Sequence, residues 1–272
     1  MSGDATPTAG VASQLRITHV GGPTALIEFG GWRLLTDPTV DAPGRRDTFA
    51  PGLASRKLSG PALTPAQIGA IDAVLLSHDH HADNLDPTGR TLLPGAGVVL
   101  TTSAGARRLG ANAVGLAPWE TYTLTESGRR TVTDTATPAR HGIAGSERLV
   151  GPVIGFALQW DGQAYGSVWI SGDTVWFAGV REVVRRLAVG TAILHLGGVR
   201  FGLTGPVRYT MSAGEAVRVT EAMAPHTVVP IHYEGWAHFR EGREAAEAAF
   251  EAAGLSERVR WLQAGVPSEI SV

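Results

Sequence analysis

Short apolar runs near the start of the chain predict β-strands. Residues 24–29 (TALIEF) and 32–36 (WRLLT) are joined by Gly30 and Gly31, a dipeptide that suits the positive φ angles of a tight two-residue turn. Residues 15–20 are expected to pair beside this hairpin. The opening of the chain therefore predicts three neighbouring strands.

Further strands are predicted along the rest of the chain. Residues 71–77 (IDAVLLS) form a buried strand in this interpretation, and that strand ends directly at His78. Residues 42–64, with several Pro and Gly among mixed charges, predict a long surface loop of the kind that often carries substrate contacts. The remaining predicted strands are 98–102, 192–196 and 227–231, with several more between 113 and 169.

Helices are interleaved with the later strands. One helix is expected to begin at Ser212, because Glu215 lies three residues on and completes a capping box. The last helix is expected to close at Gly254, a typical helix stop. The predicted helices are 104–109, 180–187, the one after Ser212, and about 241–253. The order of elements fits helices layered around packed sheets, an α/β fold.

Composition narrows the chemistry that the chain can carry. Among its 272 residues there is no cysteine, so a thiolate nucleophile and a Cys-rich metal site are excluded and any metal must be held by His and carboxylate. The net charge is -2 and basic residues occur at most in pairs, which argues against a nucleic-acid surface. No apolar run approaches the roughly 18 residues of a membrane span.

The chain is expected to form one domain over residues 13–272. Residues 1–12 are small and polar, lack the charged start and apolar core of a signal peptide, and are expected to be a disordered lead-in. A cytoplasmic location is the resulting expectation. The sequence is compatible with a homo-oligomer and does not fix the oligomeric state.

The densest group of titratable residues follows the predicted strand 71–77. It reads Ser77-His78-Asp79-His80-His81-Ala82-Asp83-Asn84. An isolated H-x-H pair is a weak signal in a chain with nine His, but H-x-H-H followed by Asp is much rarer. Alternating His at a strand end can turn two imidazoles into one cavity. The alternative interpretation is a surface His cluster or a pair that caps the next helix.

Three more metal-capable residues have the same placement. His141, Asp173 and His232 each follow a strand-like run, at the position where the loops of α/β folds converge into a site. Taken singly, each His is compatible with an ordinary hydrogen-bonded residue, and the Asp with a turn. Taken together, they indicate a metal site.

These motifs resemble those of the metallo-β-lactamase superfamily, and within it the branch similar to ascorbate-6-phosphate lactonases. The resemblance spans residues 15 to 238. Its motifs, in the family's order, are LLTDP at 34–38, LLSHDHHADN at 75–84, TPARHG at 137–142, SGDT at 171–174 and PIHYEGW at 230–236.

The resemblance implies a four-layer αβ/βα sandwich with the site along one edge of its two sheets. The first metal would be bound by His78, His80 and His141; Asp173 would bridge to a second metal, completed by His232 and Asp83. One or two Zn²⁺ ions are expected, with Mn²⁺ or Fe²⁺ as alternatives. Asp37 would orient a ligand His through its ring N–H, and its alternative role is a simple Asp-Pro turn.

One departure from the family pattern affects the second metal. The usual H-x-H-x-D-H is here H-x-H-x-x-D-N, so that Asp83 sits one position later and Asn84 replaces a ligand His. Because an amide is a poorer zinc ligand than an imidazole, the second site is expected to be weak, differently built or empty. His81 could turn in as the missing ligand, although a surface or substrate-facing role is favoured.

The resulting hypothesis is a metal-dependent hydrolase of a small-molecule ester, lactone or phosphodiester. The metal would lower the pKa of bound water from 15.7 to about 7 and so supply hydroxide, with Asp83 holding the water and passing a proton. Tyr233, Trp236 and His238 are candidates for lining the substrate pocket. The alternative is a non-catalytic metal-binding or ligand-sensing relative; a nuclease is disfavoured by the charge.

Overall fold

Fifteen strands in the part of the chain that the computed structural model describes, residues 14–50, 52–146 and 150–272, form two large sheets and one small one. The strands are β1 Gln14–Gly21, β2 Thr24–Phe29, β3 Trp32–Thr36, β4 Arg46–Ala50, β5 Leu53–Arg56, β6 Ala73–Leu75, β7 Val98–Thr102, β8 Ala113–Leu116, β9 Thr121–Leu124, β10 Val132–Pro138, β11 Ile154–Gln159, β12 Ser167–Ile170, β13 Val189–His195, β14 Thr227–Ile231 and β15 Ser268–Ser271. The predicted lead-in, residues 1–12, lies outside the described residues.

Six α-helices connect these strands within the same ranges. They are α1 Pro65–Ile68, α2 Pro87–Leu92, α3 Ser103–Leu109, α4 Ala178–Arg186, α5 Ala213–Met223 and α6 Arg243–Ala252. The predicted capping box is present, since the Ser212 side chain accepts from the Glu215 N–H and the Glu215 carboxylate accepts from the Ser212 N–H. None of the described helices combines the length and hydropathy of a transmembrane span.

The first sheet has seven strands in the order β15-β1-β2-β3-β6-β7-β8. The predicted hairpin is confirmed: Phe29 pairs with Trp32, and both Gly30 and Gly31 have positive φ angles, of 53° and 88°. From β3 onward the neighbours pair in parallel. Parallel pairing places the carboxyl ends of β3 and β6 at one edge, and the predicted site begins there.

The second sheet has six strands in the order β14-β13-β12-β11-β10-β9. The pairs β9–β10, β10–β11 and β11–β12 are antiparallel, whereas the pairs β12–β13 and β13–β14 are parallel. The carboxyl ends of these three parallel strands therefore also lie side by side. The loops after β12 and β14 carry Asp173 and His232, and β13 itself ends at His195.

Three apolar clusters define the four layers. One lies between the two sheets and includes Leu34 and Phe156. A second covers the outer face of the six-stranded sheet, where Val219 of α5 and Phe250 of α6 are buried, and a third covers the seven-stranded sheet on the side of Ile68. Burying each such side chain contributes about 1.5–3 kcal/mol. The predicted αβ/βα sandwich is confirmed.

The prediction of a surface loop over residues 42–64 was wrong for the middle of the segment, whereas residues 42–45 and 58–64 are irregular and exposed or partly exposed. This segment contains the antiparallel hairpin β4–β5, in which Asp47 pairs with Ser55. Lys57, just after β5, is buried and its Nζ donates to Asp86 Oδ2 at 2.8 Å and to the Thr39 carbonyl at 2.9 Å. Because Pro and Gly interrupt the segment, the alternation of buried and exposed side chains that is typical of a strand was not recognised.

Candidate metal centre

The loop after β6 carries the first group of donors, His78, His80 and His81, whose ligand atoms lie within 4.8 Å of one another. Asp37 fixes the start of this loop by accepting the Ser77 N–H at Oδ1, 2.7 Å away. His81, which the sequence favoured as surface or substrate-facing, is buried, and its Nδ1 is 3.1 Å from His78 Nε2. The motif therefore turns three imidazoles into one cluster.

The shape of this loop is maintained by Asp79, between the first two His. Its carboxylate accepts Arg108 Nε at 2.8 Å, and its carbonyl accepts Arg90 Nη2 at 3.0 Å. Burial opposes ionisation of Asp79, but the Arg108 guanidinium outweighs it and holds the pKa of that carboxyl well below its usual range. Helices α2 and α3 thus clamp the loop from outside.

A second group of donors joins both sheets. His78 from the first sheet meets His141 and Asp173 from the second, again with all ligand atoms within 4.8 Å. His141 Nδ1 is 3.7 Å from Asp173 Oδ2. The structure therefore brings two of the three His predicted for the first metal, His78 and His141, together with Asp173, while His80 groups with His78 and His81.

A third group consists of Asp173, His195 and His232. Asp173 Oδ1 is 3.1 Å from His195 Nδ1 and 3.3 Å from His232 Nδ1. His232 adopts a positive φ of 56°, and its N–H donates to the Gly22 carbonyl at 2.8 Å. Strain of this kind costs about 1–3 kcal/mol and tends to occur at functional sites.

His195 is the donor that sequence reasoning missed. It follows an apolar run, as the predicted ligands do, but the strand was predicted to run to Leu196, which would place His195 inside it. In the structure β13 ends at His195. The sequence pattern, a His at the end of an apolar run, was present here as well. It was not recognised because the predicted strand ended one residue too late.

Asp83 and Asn84 lie buried at the same cluster, outside the three groups of donors. Asp83 Oδ2 is 3.7 Å from His232 Nε2 and 2.9 Å from His238 Nε2. Asp83 Oδ1 and Asp173 Oδ2 each lie 3.2 Å from one end of the Asn84 side-chain amide, and we assign the NH2 group to that end because an amide oxygen there would face only acceptors. Asn84 therefore bridges two carboxylates at the position where the family pattern has a ligand His.

Burial sets the charge of the His residues in the cluster. It lowers the pKa of His78 and His141 well below the ordinary value, with further lowering by neighbouring imidazoles, and it lowers the pKa of His81 to about 4. These rings are thus neutral near pH 7, the form that ligates metals. Ring nitrogens of His80, His141, His195 and His232 are buried without a hydrogen-bond partner among the described residues. Such unpaired acceptors, together with carboxylates, fit a metal ion.

The carboxylates differ from one another. Burial raises the pKa of Asp173 to about 6, and burial together with the nearby Asp173 charge raises the pKa of Asp37 well above its usual range. Burial also opposes ionisation of Asp83, but contacts with His232 and His238 outweigh it and hold its pKa well below the usual range. Of Asp37, Asp83 and Asp173, Asp83 is therefore the carboxyl that ionises most readily.

The three residues predicted to line a substrate pocket have different surroundings. His238 contacts Asp83 and stacks on Phe201, with ring centroids 5.0 Å apart. The Trp236 ring is 5.8 Å from that of His238. Tyr233 instead packs in the outer helical layer, where its ring meets that of Trp261 at 5.6 Å.

Asp37 forms its hydrogen bond with the backbone and lies near one ring of the cluster. Besides accepting the Ser77 N–H, it places Oδ2 at 4.0 Å from His195 Nδ1. Its φ of 29° is unusual for a residue with a side chain. The predicted role of orienting a ligand His remains a prediction.

The sequence profile of the beta-lactamase superfamily domain matches residues 32–233, most of the chain. The chain belongs to this family. A metal-dependent hydrolase of Ignicoccus hospitalis is 26% identical over 264 residues, covering 92% of this chain and 96% of that protein. One from Methanosphaerula palustris is 27% identical over 187 residues, covering 66% of this chain and 76% of that protein.

Solved structures share the fold. The crystal structure of an isothiocyanate hydrolase from Delia radicum gut bacteria superposes with a TM-score of 0.77 at 20% identity, covering 94% of this chain and all of that one (100%). The family match and these relatives confirm the predicted class, a metal-dependent hydrolase of the metallo-β-lactamase fold. The narrower resemblance to the lactonase branch remains a prediction.

Proposed function

We propose that the protein hydrolyses a small-molecule ester, lactone or phosphodiester at a centre that holds one or two metal ions. The observation that carries this proposal is the convergence of His78, His141 and Asp173, from two different sheets, on one point with their donor atoms within 4.8 Å. Buried imidazoles without hydrogen-bond partners are costly unless they bind a ligand. A metal ion would satisfy them.

Each metal would be held by a distinct group of donors. His78, His80 and His141 would hold the first, and Asp173 would bridge to a second held with His195 and His232. This set contains only nitrogen and carboxylate oxygen, which suits Zn²⁺ and also Mn²⁺ or Fe²⁺. When bound, the metal would lower the pKa of water and polarise the substrate oxygen.

Asp83 is the proposed residue for orienting the attacking water. His238 contacts one of its oxygens and Asn84 donates to the other, so that the carboxylate is fixed in position. Its lowered pKa keeps it ionised at neutral pH and able to accept a hydrogen bond from water.

The body of the substrate would occupy the cavity beside His141. This cavity measures about 410 Å³ and is walled by apolar side chains and by Arg107 and Arg140. A mostly apolar cavity with a few polar groups next to reactive residues is the common form of a small-molecule site. The proposed substrate is therefore a small organic ester, lactone or phosphodiester rather than a polymer.

A second candidate function is metal or ligand binding without catalysis. It is favoured by Asn84, which bridges Asp83 and Asp173 in place of a ligand imidazole. In that case the second group of ligands would hold no metal, and the protein would bind small molecules without turning them over.

The test combines metal content with turnover. Metal per chain is measured by mass spectrometry on protein purified without added metal, and again after loading with Zn²⁺, Mn²⁺ or Fe²⁺. Hydrolysis of a lactone, 4-nitrophenyl acetate and bis(4-nitrophenyl) phosphate is measured on the same samples. We expect His141→Ala to lose bound metal and at least about 100-fold in kcat/KM.

The matched control is His226→Ala, since His226 is an exposed imidazole that stacks on Tyr165 outside the donor groups. It is expected to leave both metal content and hydrolysis unchanged. Wild-type protein that takes up none of these metals would overturn the proposal. Protein that binds metal but hydrolyses none of the three substrates would favour the second candidate.

A further inference from the structure

A cavity of about 260 Å³, separate from the one beside His141, lies on the side of the His238 ring that faces away from Asp83. Three arginines line it. Arg46 and Arg56 come from the hairpin β4–β5, and Arg240 comes from the segment that follows His238. None of the residues described as lining this cavity is acidic. The cavity is therefore strongly positive.

The arginines of the hairpin are placed against each other. Arg46 and Arg56 are direct partners in the antiparallel register of β4 and β5. Like charges directly opposite each other on neighbouring strands are destabilising. Both side chains are exposed, so water screens much of this repulsion. An anion bound between the two guanidinium groups would offset the rest.

No carboxylate among the described residues supplies such a negative charge, because none lies within 4.0 Å of Arg46, Arg56 or Arg240. Adjacent arginines differ in this respect. Arg45 Nε is 2.6 Å from Asp47 Oδ1, and Arg243 Nε is 2.8 Å from Glu247 Oε1. The fold thus pairs the arginines that flank the cavity and leaves those that line it without a carboxylate partner in the described parts of the chain.

The cavity adjoins the metal centre through two of its walls. Ser55 and His238 line it, and Ser55 Oγ is 2.6 Å from His238 Nδ1. The opposite ring nitrogen of the same His, Nε2, is 2.9 Å from Asp83 Oδ2. One imidazole ring therefore separates the arginines from the residue proposed to orient the attacking water.

We propose that this cavity binds an oxyanion, a phosphate or carboxylate group carried by the substrate, through Arg46, Arg56 and Arg240. Planar guanidinium groups match both oxyanions because two parallel N–H groups can donate to two oxygens. The proposal rests on the proposed function, since it assigns the substrate class of that hydrolase: small esters or lactones that carry a negative charge away from the scissile bond.

Anion binding is tested first without turnover. Binding of inorganic phosphate and of glutarate to the metal-loaded protein is measured by calorimetry for the wild type and for Arg46→Gln, Arg56→Gln and Arg240→Gln. The control is Arg185→Gln, an exposed arginine on α4 that does not line the cavity. Each cavity variant is expected to weaken binding about tenfold or more, the usual scale for one charge-assisted hydrogen bond.

Anion binding at the metals would respond equally to the control variant and to the cavity variants. Binding that is weakened only by the cavity variants therefore takes place in this cavity. Loss of phosphate binding alone identifies a phosphate group, and loss of glutarate binding alone identifies a carboxylate group. Binding of neither anion, or an Arg185→Gln effect as large as that of Arg46→Gln, would overturn the proposal.

Turnover then connects the cavity to the substrate. With 4-nitrophenyl acetate as the neutral ester and mono(4-nitrophenyl) glutarate as the anionic one, Arg46→Gln is expected to raise KM about tenfold or more for the anionic ester alone, with kcat unchanged. Equal effects on both esters would contradict a role in substrate binding. Arg-dependent phosphate binding in a protein that hydrolyses nothing would leave the anion site standing and overturn the proposed function.

Discussion

His195 Nδ1 lies 3.1 Å from Asp173 Oδ1; His195 is the last residue of β13, and Asp173 lies in the loop after the neighbouring parallel strand β12. The loop after β14, the third parallel strand, places His232 3.3 Å from the same carboxylate oxygen. Burial lowers the pKa of His195 to about 3, which keeps its ring neutral. These three residues have the character of a second metal site that does not need a ligand from the H-x-H-H motif.

The first prediction concerns His195. His195→Gln removes a ring nitrogen from the donor group and is expected to weaken binding of one metal equivalent about 10- to 100-fold. Metal content and titration with Zn²⁺ in the presence of a competing chelator measure the change. His226→Gln is the matched control; the same loss in both variants, or none in either, would contradict the assignment.

Asn84→Asp tests the bridge between the two carboxylates. The substitution keeps the shape of the side chain but replaces a donor with a third negative charge beside Asp83 and Asp173. Without metal, the buried like charges are expected to lower the free energy of unfolding by about 3–5 kcal/mol. Added Zn²⁺ should restore much of this loss.

Melting temperatures with and without chelator measure that effect. The wild type is the reference, and its Zn²⁺-induced rise in Tm is expected to be smaller than that of Asn84→Asp. An equal rise in Tm in both proteins would mean that a charge at position 84 does not interact with the bound metal.

Asp134 is a buried carboxyl that the proposed chemistry does not use. It lies on β10 between Val132 and Ala136, both part of the apolar cluster between the sheets, and its oxygens make no well-formed hydrogen bond with a described residue. Burial raises its pKa well above the ordinary value, and a weak contact with the Ala157 N–H offsets only part of that rise. Asp134 thus favours folding while protonated.

The raised pKa of Asp134 sets the direction in which the free energy of unfolding changes with pH. Below the unfolded pKa, about 3.9, Asp134 is protonated in both states and costs no ionisation energy. As the pH rises through the folded pKa, its contribution to stability is lost. Asp134→Asn is therefore expected to raise the free energy of unfolding at pH 7, by on the order of 1–3 kcal/mol. The gain should shrink toward pH 4, and a gain independent of pH in thermal unfolding would refute this account.

Lys57 anchors the hairpin β4–β5 beside the metal centre. Its ammonium pairs with Asp86, which also accepts the Gly89 N–H as the N-cap of α2, and both side chains are buried. Lys57→Met leaves the Asp86 carboxylate buried without its cation and is expected to destabilise the protein by about 3–5 kcal/mol.

Arg45→Gln is the control for this prediction, because the Arg45 side chain is half exposed where it pairs with Asp41 and Asp47 on the same hairpin. Urea unfolding should place Arg45→Gln within about 1 kcal/mol of the wild type. If Lys57→Met unfolds at the same urea concentration as that control, the buried pair is not an anchor.

Several features were predictable from the sequence because they depend on residues close together in the chain. The turn at Gly30 and Gly31 requires positive φ angles that glycine adopts without strain, and the capping box of Ser212 and Glu215 is satisfied within one helical turn. The hairpin β4–β5 was missed because its alternation is short and interrupted by Gly and Pro. Its burial is decided by contacts with distant segments, such as the pairing of Lys57 with Asp86.

The sequence also predicted which residue types form the metal cluster, because a His or an Asp at the end of an apolar run can be recognised from neighbouring residues alone. Their grouping was not predictable, because it depends on the strand order, which places β12, β13 and β14 side by side and sets them against β6 of the other sheet. That order brought His195 and His238 to the cluster and turned His81 inward. It also placed Asn84 between two carboxylates. The sequence by itself determined which ligands were available, and the tertiary structure decided which of them meet, because distances between strand ends follow from sheet pairing rather than from separation along the chain.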